Sequence, residues 1–200
     1  MKYEYKYNAL FRPGPNHDMN ACIGRNGGPY DYSSFGEGFF QAGFRIIERI
    51  EDGAWTLDIL IYPLIFNFRH GIELYIKHFI VISERLQNGS ETMNKNHSLI
   101  SNWDIAEKSL LRLQHSWFDQ LELAIAKDII RDVVQVDPNN QVFRYPEDRN
   151  GKVFFDDFSV INAEVLRDGM KLLFELFEKW ESGLIALCGD HQKNLHSIVL

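Results

Sequence analysis

The sequence predicts an all-α fold, an antiparallel bundle of four to five helices. Apolar side chains recur every three to four residues over most of residues 37–188, which is typical of amphipathic helices. The segments between these stretches are short, so consecutive helices should pack as antiparallel neighbours. No unit repeats at intervals of 20 to 50 residues, which excludes a solenoid. With 200 residues, the chain is long enough to bury one core without disulfides.

Residues 1–36 are predicted to form an irregular N-terminal arm. Glycine and proline are concentrated in residues 12–38, a composition that favours turns over regular elements. The arm also carries Cys22, Ile23 and Tyr30, so we expect it to pack on the helical domain. Its first residues lack the apolar core of a secretory signal, which indicates a cytoplasmic protein.

The bundle domain, residues 37–188, opens with a helix predicted from Phe39 to a stop near residues 52–53. Phe40, Phe44 and Ile47 recur at helical spacing, with charged residues between them. This pattern predicts one buried face and one solvated face.

A central helix is predicted at residues 56–87, where the sequence is apolar nearly all round. Pro63 is expected to kink this helix or to lie near its start. The longest apolar run, residues 59–68, is about half the length needed to cross a bilayer. No membrane partner is therefore expected.

Two further helices are predicted at residues 99–110 and 118–136, after a polar loop at residues 90–96. A strong turn signal, Asp-Pro-Asn-Asn, opens a small hairpin or loop insertion at residues 137–157. A long closing helix is predicted at residues 159–188. Residues 189–200 form a C-terminal tail.

Charge and motifs exclude several classes of function. Asp and Glu outnumber Lys and Arg by 28 to 21, which argues against a broad nucleic-acid-binding face but allows a small basic pocket. Cys22 and Cys188 lie far apart and outside any Cys-x-x-Cys pair, so neither a zinc ribbon nor a disulfide framework is indicated. The glycine cluster lacks a P-loop pattern, and no nucleophile elbow is present. We expect no metal and no cofactor.

A stripe of charged side chains on the central helix is the candidate site. At 100° per residue, Arg69, His70, Glu73 and Lys77 fall within about 100° of one another. Apolar residues flank the stripe, so it should be partly buried, where unpaired charge is costly. The i,i+4 pairs Arg69–Glu73 and Glu73–Lys77 would supply partners.

Two interpretations of this stripe stay open. His70, with His78 two turns on and His97 beyond the loop, would suit proton transfer or phosphate binding. The alternative is a structural ion-pair network that braces the bundle. The His70–Glu73 spacing alone is weak evidence for zinc.

The run from Tyr62 to His78, with its Arg-His-x-x-Glu-Leu-x-x-Lys string, resembles the HEPN superfamily (higher eukaryote and prokaryote nucleotide-binding domains). It is most similar to a poorly characterised bacterial group in or near that superfamily. The group also has a His-x-Leu segment, here His97 to Leu99, and a Phe-Arg-Tyr-Pro loop, here residues 143–146. The residues that match its pattern are Arg69, His70, Glu73, Lys77, His97 and Arg144.

The resemblance implies a helical bundle, frequently a homodimer, encoded in toxin–antitoxin or phage-defence systems. It also implies a metal-independent RNase. Active members resemble one another in an Arg followed, after four to six residues, by a His on one helix. Here the formal match, Arg12 to His17, lies in a Pro-Gly loop, whereas Arg69 and His78 are separated by eight residues.

Two functions follow as alternatives. In the first, the chain binds RNA or a nucleotide phosphate, with Arg69, His70 and His97 as catalytic residues and Glu73, Lys77 and Arg144 as ligand-binding residues. In the second, it is an acidic, non-enzymatic antitoxin or immunity protein. Its charge of −7 would then steer it towards a basic protein toxin such as a nuclease.

Overall fold

The structure, a computed structural model, describes residues 8–24, 26, 28, 30–51, 57–89, 97–155 and 158–198, with side chains up to residue 189. The predicted all-α class is confirmed, because the regular structure of these residues consists of five α-helices and one short 3-10 helix. An isolated antiparallel bridge joins Glu147 to Val153. The contacts divide the chain into two compact units, Met1–Tyr30 and Asp31–Leu200.

The described part of the first unit is irregular apart from the 3-10 helix at His17–Met19. Asn16 caps this helix by accepting a hydrogen bond from the backbone N–H of Asp18 at 3.2 Å. The Asn20 side chain exchanges two hydrogen bonds with the backbone of Gly14. Side-chain-to-backbone bonds of this kind replace helix or sheet bonds in turn-rich segments.

The second unit is the helical bundle. Its helices are α1 (Tyr32–Glu51), α2 (Leu57–Asn88), α3 (Leu99–Arg112), α4 (Gln120–Val136) and α5 (Ala163–Ile198). The helix α2 is central, since it packs against α1, α3 and α5, while α4 packs against α3 and α5. The predicted central position of this helix is therefore confirmed, and it runs through Pro63.

The helix α1 starts at Tyr32, seven residues before the predicted Phe39. Asp31 caps it, because its Oδ1 accepts a hydrogen bond from the backbone N–H of Ser34 at 3.1 Å. Gly36 is helical as well: a Cβ there would lie 2.7 Å from the Tyr75 ring, so glycine permits close approach of α1 to α2. The predicted start of α1 was therefore wrong. Gly36 allows two helices to pack closely and does not form a turn.

Glycine has different effects near the C-terminal ends of the two longest helices, α2 and α5. Gly89 ends α2 with a φ of +66°, and its N–H donates to the Arg85 carbonyl at 3.0 Å, which matches the predicted glycine stop. The helix α5 instead continues through Gly189 to Ile198, beyond the predicted end at Cys188. A single glycine costs a helix only about 1 kcal/mol, which neighbouring turns can outweigh.

The core is dominated by aromatic rings from α1, α2, α3 and α5. Phe40, Tyr75, Phe177 and Trp180 are each at most 1% exposed, and the first three are in mutual ring contact. Residues 137–155 form a chain of turns in place of a regular hairpin. In the part of the chain that the structure describes, no helix is both long and apolar enough to cross a membrane. The stop predicted near residues 52–53 and the loop predicted at 90–96 lie outside the described residues.

Candidate functional site

Arg69, on α2, is enclosed by protein, with 1% of its surface exposed. Its Nε donates a hydrogen bond to the Asp137 carbonyl oxygen at 3.2 Å and lies 3.3 Å from Asp137 Oδ2. Its Nη1 is 3.9 Å from Glu73 Oε2. Nη1 and Nη2 are buried and have no hydrogen-bond partner among the described residues. Burial lowers the pKa of Arg69 more than the two carboxylates raise it.

Asp137 ends α4 and shapes the loop that follows. Its Oδ1 accepts hydrogen bonds from the backbone N–H groups of Gln141 at 2.8 Å and Val142 at 3.3 Å. The Gln141 carbonyl in turn accepts from the backbone N–H groups of Arg144 and Tyr145, each at 3.0 Å. One carboxylate thus pairs with Arg69 and positions the loop that carries Arg144.

The Glu73 carboxylate lies within ion-pair distance of three basic side chains. Its Oε1 lies 2.8 Å from Lys77 Nζ and 3.0 Å from His97 Nδ1, while Oε2 faces Arg69. Burial raises the pKa of Glu73, but the hydrogen bonds from Lys77 and His97 outweigh burial and hold it below its usual value. The Glu73 carboxylate is therefore charged at neutral pH and balances part of this positive charge.

His70 is half-buried between two aromatic rings. The Phe39 ring meets it edge-on at a centroid distance of 4.4 Å, and the Phe66 ring is stacked parallel at 6.0 Å. No described residue forms a hydrogen bond with its imidazole. Burial lowers the pKa of His70, and the charges of Lys77, Arg69 and Arg144 lower it further, against the effect of Glu73. The His70 imidazole is therefore neutral at pH 7, and its nitrogens have no hydrogen-bond partner in the described ranges.

Arg144 is exposed at the surface beside His70. Its guanidinium lies over the Phe66 ring at 5.7 Å and over the Tyr145 ring at 5.3 Å. Phe66 therefore contacts both bases. Within the described ranges, no carboxylate forms an ion pair with Arg144.

An open cleft of about 440 Å³ adjoins Arg144. Its walls carry aromatic side chains, including Tyr62, Phe143, Tyr145 and Phe155. Tyr62, Phe143 and Phe155 also line a second cleft of about 320 Å³, so the two clefts share a wall. Arg69 and His70 are not among the lining residues of either cleft.

The structure thus brings the predicted residues into one region in two layers. Arg69, Glu73 and Lys77 form the inner layer, and we call these three residues together with His70 and His97 the Arg69 cluster. His97 is 81% exposed, and Arg144 is exposed too. Asp137 is the further residue of this site, and its sequence context predicted only a turn. No spacing rule predicts a contact between residues 69 and 137, since it depends on how α4 packs.

The described residues also include one group with the composition of a metal site, Asp31, His78 and Glu181. A ligand atom from each residue lies within 4.8 Å of the others. The group joins the start of α1 to α2 and α5, and none of its members belongs to the Arg69 cluster.

A scan against protein-family models and searches of curated proteins and of solved structures found no match to this chain. The HEPN resemblance therefore stays a prediction, and the geometry of the site is what bears on function.

Proposed function

We propose that the chain binds RNA or a nucleotide and that Arg144 holds the phosphate. The observation that carries the proposal is the exposed Arg144 guanidinium, which has no carboxylate partner among the described residues. It is close enough to Arg69 and His70 to lower the pKa of both. A phosphate would supply the missing negative charge through charge-assisted hydrogen bonds, for which a guanidinium is well shaped.

The cleft beside Arg144 suits a nucleobase. Tyr62 and Tyr145 are 43% and 52% exposed, so both rings are accessible to a ligand. Bases stack on such rings with about 1 to 3 kcal/mol each, and stacking tolerates any sequence. Phosphate at Arg144 and a base against Tyr145 would therefore be neighbouring contacts of one ligand, consistent with a small basic site on an acidic protein.

RNA cleavage would be the enzymatic form of this function. Without a metal, a base must take the proton of the ribose 2′-OH, whose oxygen attacks phosphorus, and an acid must protonate the departing 5′-oxygen. His70 suits the base, because its imidazole is neutral and lacks a hydrogen-bond partner among described residues. His97, on Glu73, suits the acid. Arg69 is enclosed, so it would act as a positioning residue.

The resemblance would place such a protein among bacterial conflict and defence proteins of HEPN type, acting as a homodimer. The alternative, an antitoxin, needs a face of free carboxylates. Several described carboxylates are instead bound to the chain's own cations. Examples are Asp104 and Glu107 with Lys127, Glu122 with Lys179, and Glu51 with Arg167. The ligand-binding function is therefore the better supported candidate.

Fluorescence anisotropy with a labelled single-stranded RNA tests the binding. Arg144→Ala should weaken binding at least tenfold at low salt, whereas Arg149→Ala, an exposed arginine in the same loop, should change it less than twofold. ATP should compete if a single nucleotide suffices. Equal binding by both variants, or none by the intact protein at millimolar ligand, would overturn the proposal.

Cleavage is tested separately on a gel with the same RNA. His70→Ala should lower the rate roughly 100-fold with an unchanged melting curve, as expected for an acid–base group. RNA binding without cleavage would leave a binding protein and reject the RNase. If the protein is instead an antitoxin, the Arg144→Ala and His70→Ala variants should neutralise its toxin as well as the intact protein does.

A further inference from the structure

Asp31, His78 and Glu181 converge from three helices in the bundle unit. Asp31 immediately precedes α1, His78 lies on α2, and Glu181 lies on α5. His78 is 4% exposed, whereas the Asp31 side chain is 53% exposed. The group therefore has a buried base and one ligand open to solvent.

The two imidazole nitrogens of His78 face different carboxylates. Nε2 lies 2.5 Å from Glu181 Oε2, a buried oxygen that forms no hydrogen bond with a described residue, and Nδ1 lies 3.6 Å from Asp31 Oδ2. If Nε2 carries the proton towards Glu181, the Nδ1 lone pair points at a carboxylate oxygen. Two electron-rich atoms in that position are brought together by a proton or a metal ion between them.

The longer distance fits a metal ion. Zinc binds nitrogen and oxygen ligands at 2.0 to 2.2 Å in tetrahedral sites, so two ligand atoms of one ion lie about 3.4 Å apart. The 3.6 Å between Nδ1 and Asp31 Oδ2 is close to that value. Glu181 Oε2 lies beside the other ring nitrogen, where the carboxylate partner of a metal-bound histidine is usually found.

The surroundings are negatively charged. Ser33 Oγ lies 2.7 Å from Asp31 Oδ1 and 3.2 Å from Glu181 Oε1, and its single proton can be donated to one of these carboxylates at a time. His78 is the only base among the described residues that forms an ion pair with either of them. The Tyr75 hydroxyl donates to a further carboxylate, Glu178. A divalent cation would offset this accumulation of charge.

We propose that this group binds a divalent transition-metal ion of the zinc class. His78 Nδ1 and Asp31 are its direct protein ligands, Glu181 orients the imidazole, and water completes the coordination. A mixed nitrogen and oxygen donor set favours zinc or cobalt over magnesium and calcium, which prefer oxygen ligands throughout. The site is independent of the proposed RNA binding.

Calorimetric titration with Zn²⁺ tests the site, and the visible absorption of bound Co²⁺ reports its geometry. Asp31→Asn removes the charged ligand but leaves a good helix cap, so the fold should persist. The matched control is Asp119→Asn, which changes the cap of α4 in the same way and is not part of the group formed by Asp31, His78 and Glu181. Circular dichroism checks that each variant is folded.

We expect Asp31→Asn to weaken Zn²⁺ binding at least tenfold and Asp119→Asn to leave it unchanged. Glu181→Gln should weaken it about 10- to 100-fold, the usual effect of losing a carboxylate behind a metal-bound histidine. Mg²⁺ should not compete. Absence of Zn²⁺ binding by the intact protein, or equal affinity in Asp31→Asn, would overturn the proposal and leave a proton between Asp31 and His78.

Discussion

Arg69 and Asp137 are separated by 68 positions in the chain and form a buried ion pair. Each is 1% exposed, and the arginine contacts both the side chain and the backbone carbonyl of the aspartate. The pair joins the middle of α2 to the end of α4. It therefore couples the central helix to the loop that presents Arg144.

Loss of the Asp137 side chain should destabilise the protein strongly. Asp137→Ala leaves the Arg69 guanidinium buried with only Glu73 nearby, and removes two loop hydrogen bonds, so we expect a cost of about 3 to 5 kcal/mol in urea unfolding. Asp148→Ala is the control, because Asp148 also accepts backbone N–H groups in a turn but at the surface. A cost at Asp137 no larger than at Asp148 would contradict the buried-pair interpretation.

Glu73 should be essential to the balance of charge on α2. Glu73→Ala removes the shared partner of Arg69, Lys77 and His97, so we expect a loss of about 2 to 4 kcal/mol in unfolding free energy. The exposed pair Arg45–Glu48 offers the comparison, since Glu48→Ala should cost less than about 1 kcal/mol. A thermal melt of Glu73→Ala within 0.5 kcal/mol of the intact protein would count against this role.

His70 should make stability depend on pH near neutrality. Burial lowers its pKa in the folded protein, so between the folded pKa and the ordinary value of 6.5 the unfolded chain binds more protons. Its contribution to stability is thus complete above pH 6.5 and is lost as the pH falls towards the folded pKa. Urea unfolding at a series of pH values should show this loss in the intact protein and a smaller loss in His70→Gln.

An NMR titration of the His70 ring gives an independent check of the same point. The midpoint should lie below 6.5 in the folded protein. A midpoint above 6.5 would mean that Glu73 dominates over burial, and His70 would then be charged near pH 6.

Close packing of α1 on α2 predicts opposite effects at two glycines of α1. A Cβ at Gly43 would lie 2.6 Å from the Phe68 ring, so Gly43→Ala should cost about 1 to 3 kcal/mol. A Cβ at Gly38 would meet no atom within 4 Å, so Gly38→Ala should stabilise the helix by about 0.5 to 1 kcal/mol. Urea unfolding of the two variants measures both. Equal effects would show that α1 does not pack this closely on α2.

The helices could be predicted because their apolar residues follow the period of the α-helix. The stripe on α2 was also predictable, since Arg69, Glu73 and Lys77 are spaced to meet along one helix, and Arg69 and Glu73 are buried as expected. The predicted start of α1 was wrong, because a glycine within a helix can allow a close contact, as Gly36 does with Tyr75.

Contacts between helices that are distant in sequence could not be predicted. The alignment of Asp31, His78 and Glu181 depends on how α1, α2 and α5 are rotated about their axes. Periodicity gives the buried face of each helix but not which polar residues meet across it. The position of Phe66 between His70 and Arg144 depends in the same way on the loop after α4.

The ion pair of Arg69 with Asp137 also has a consequence for the order of folding. The helices α1 and α2 are neighbours in sequence and pack closely, so their contacts close a short loop and can form early. Asp137 reaches Arg69 only once α3 and α4 have been placed. We therefore expect the cleft beside Arg144 to form after the α1–α2 pair.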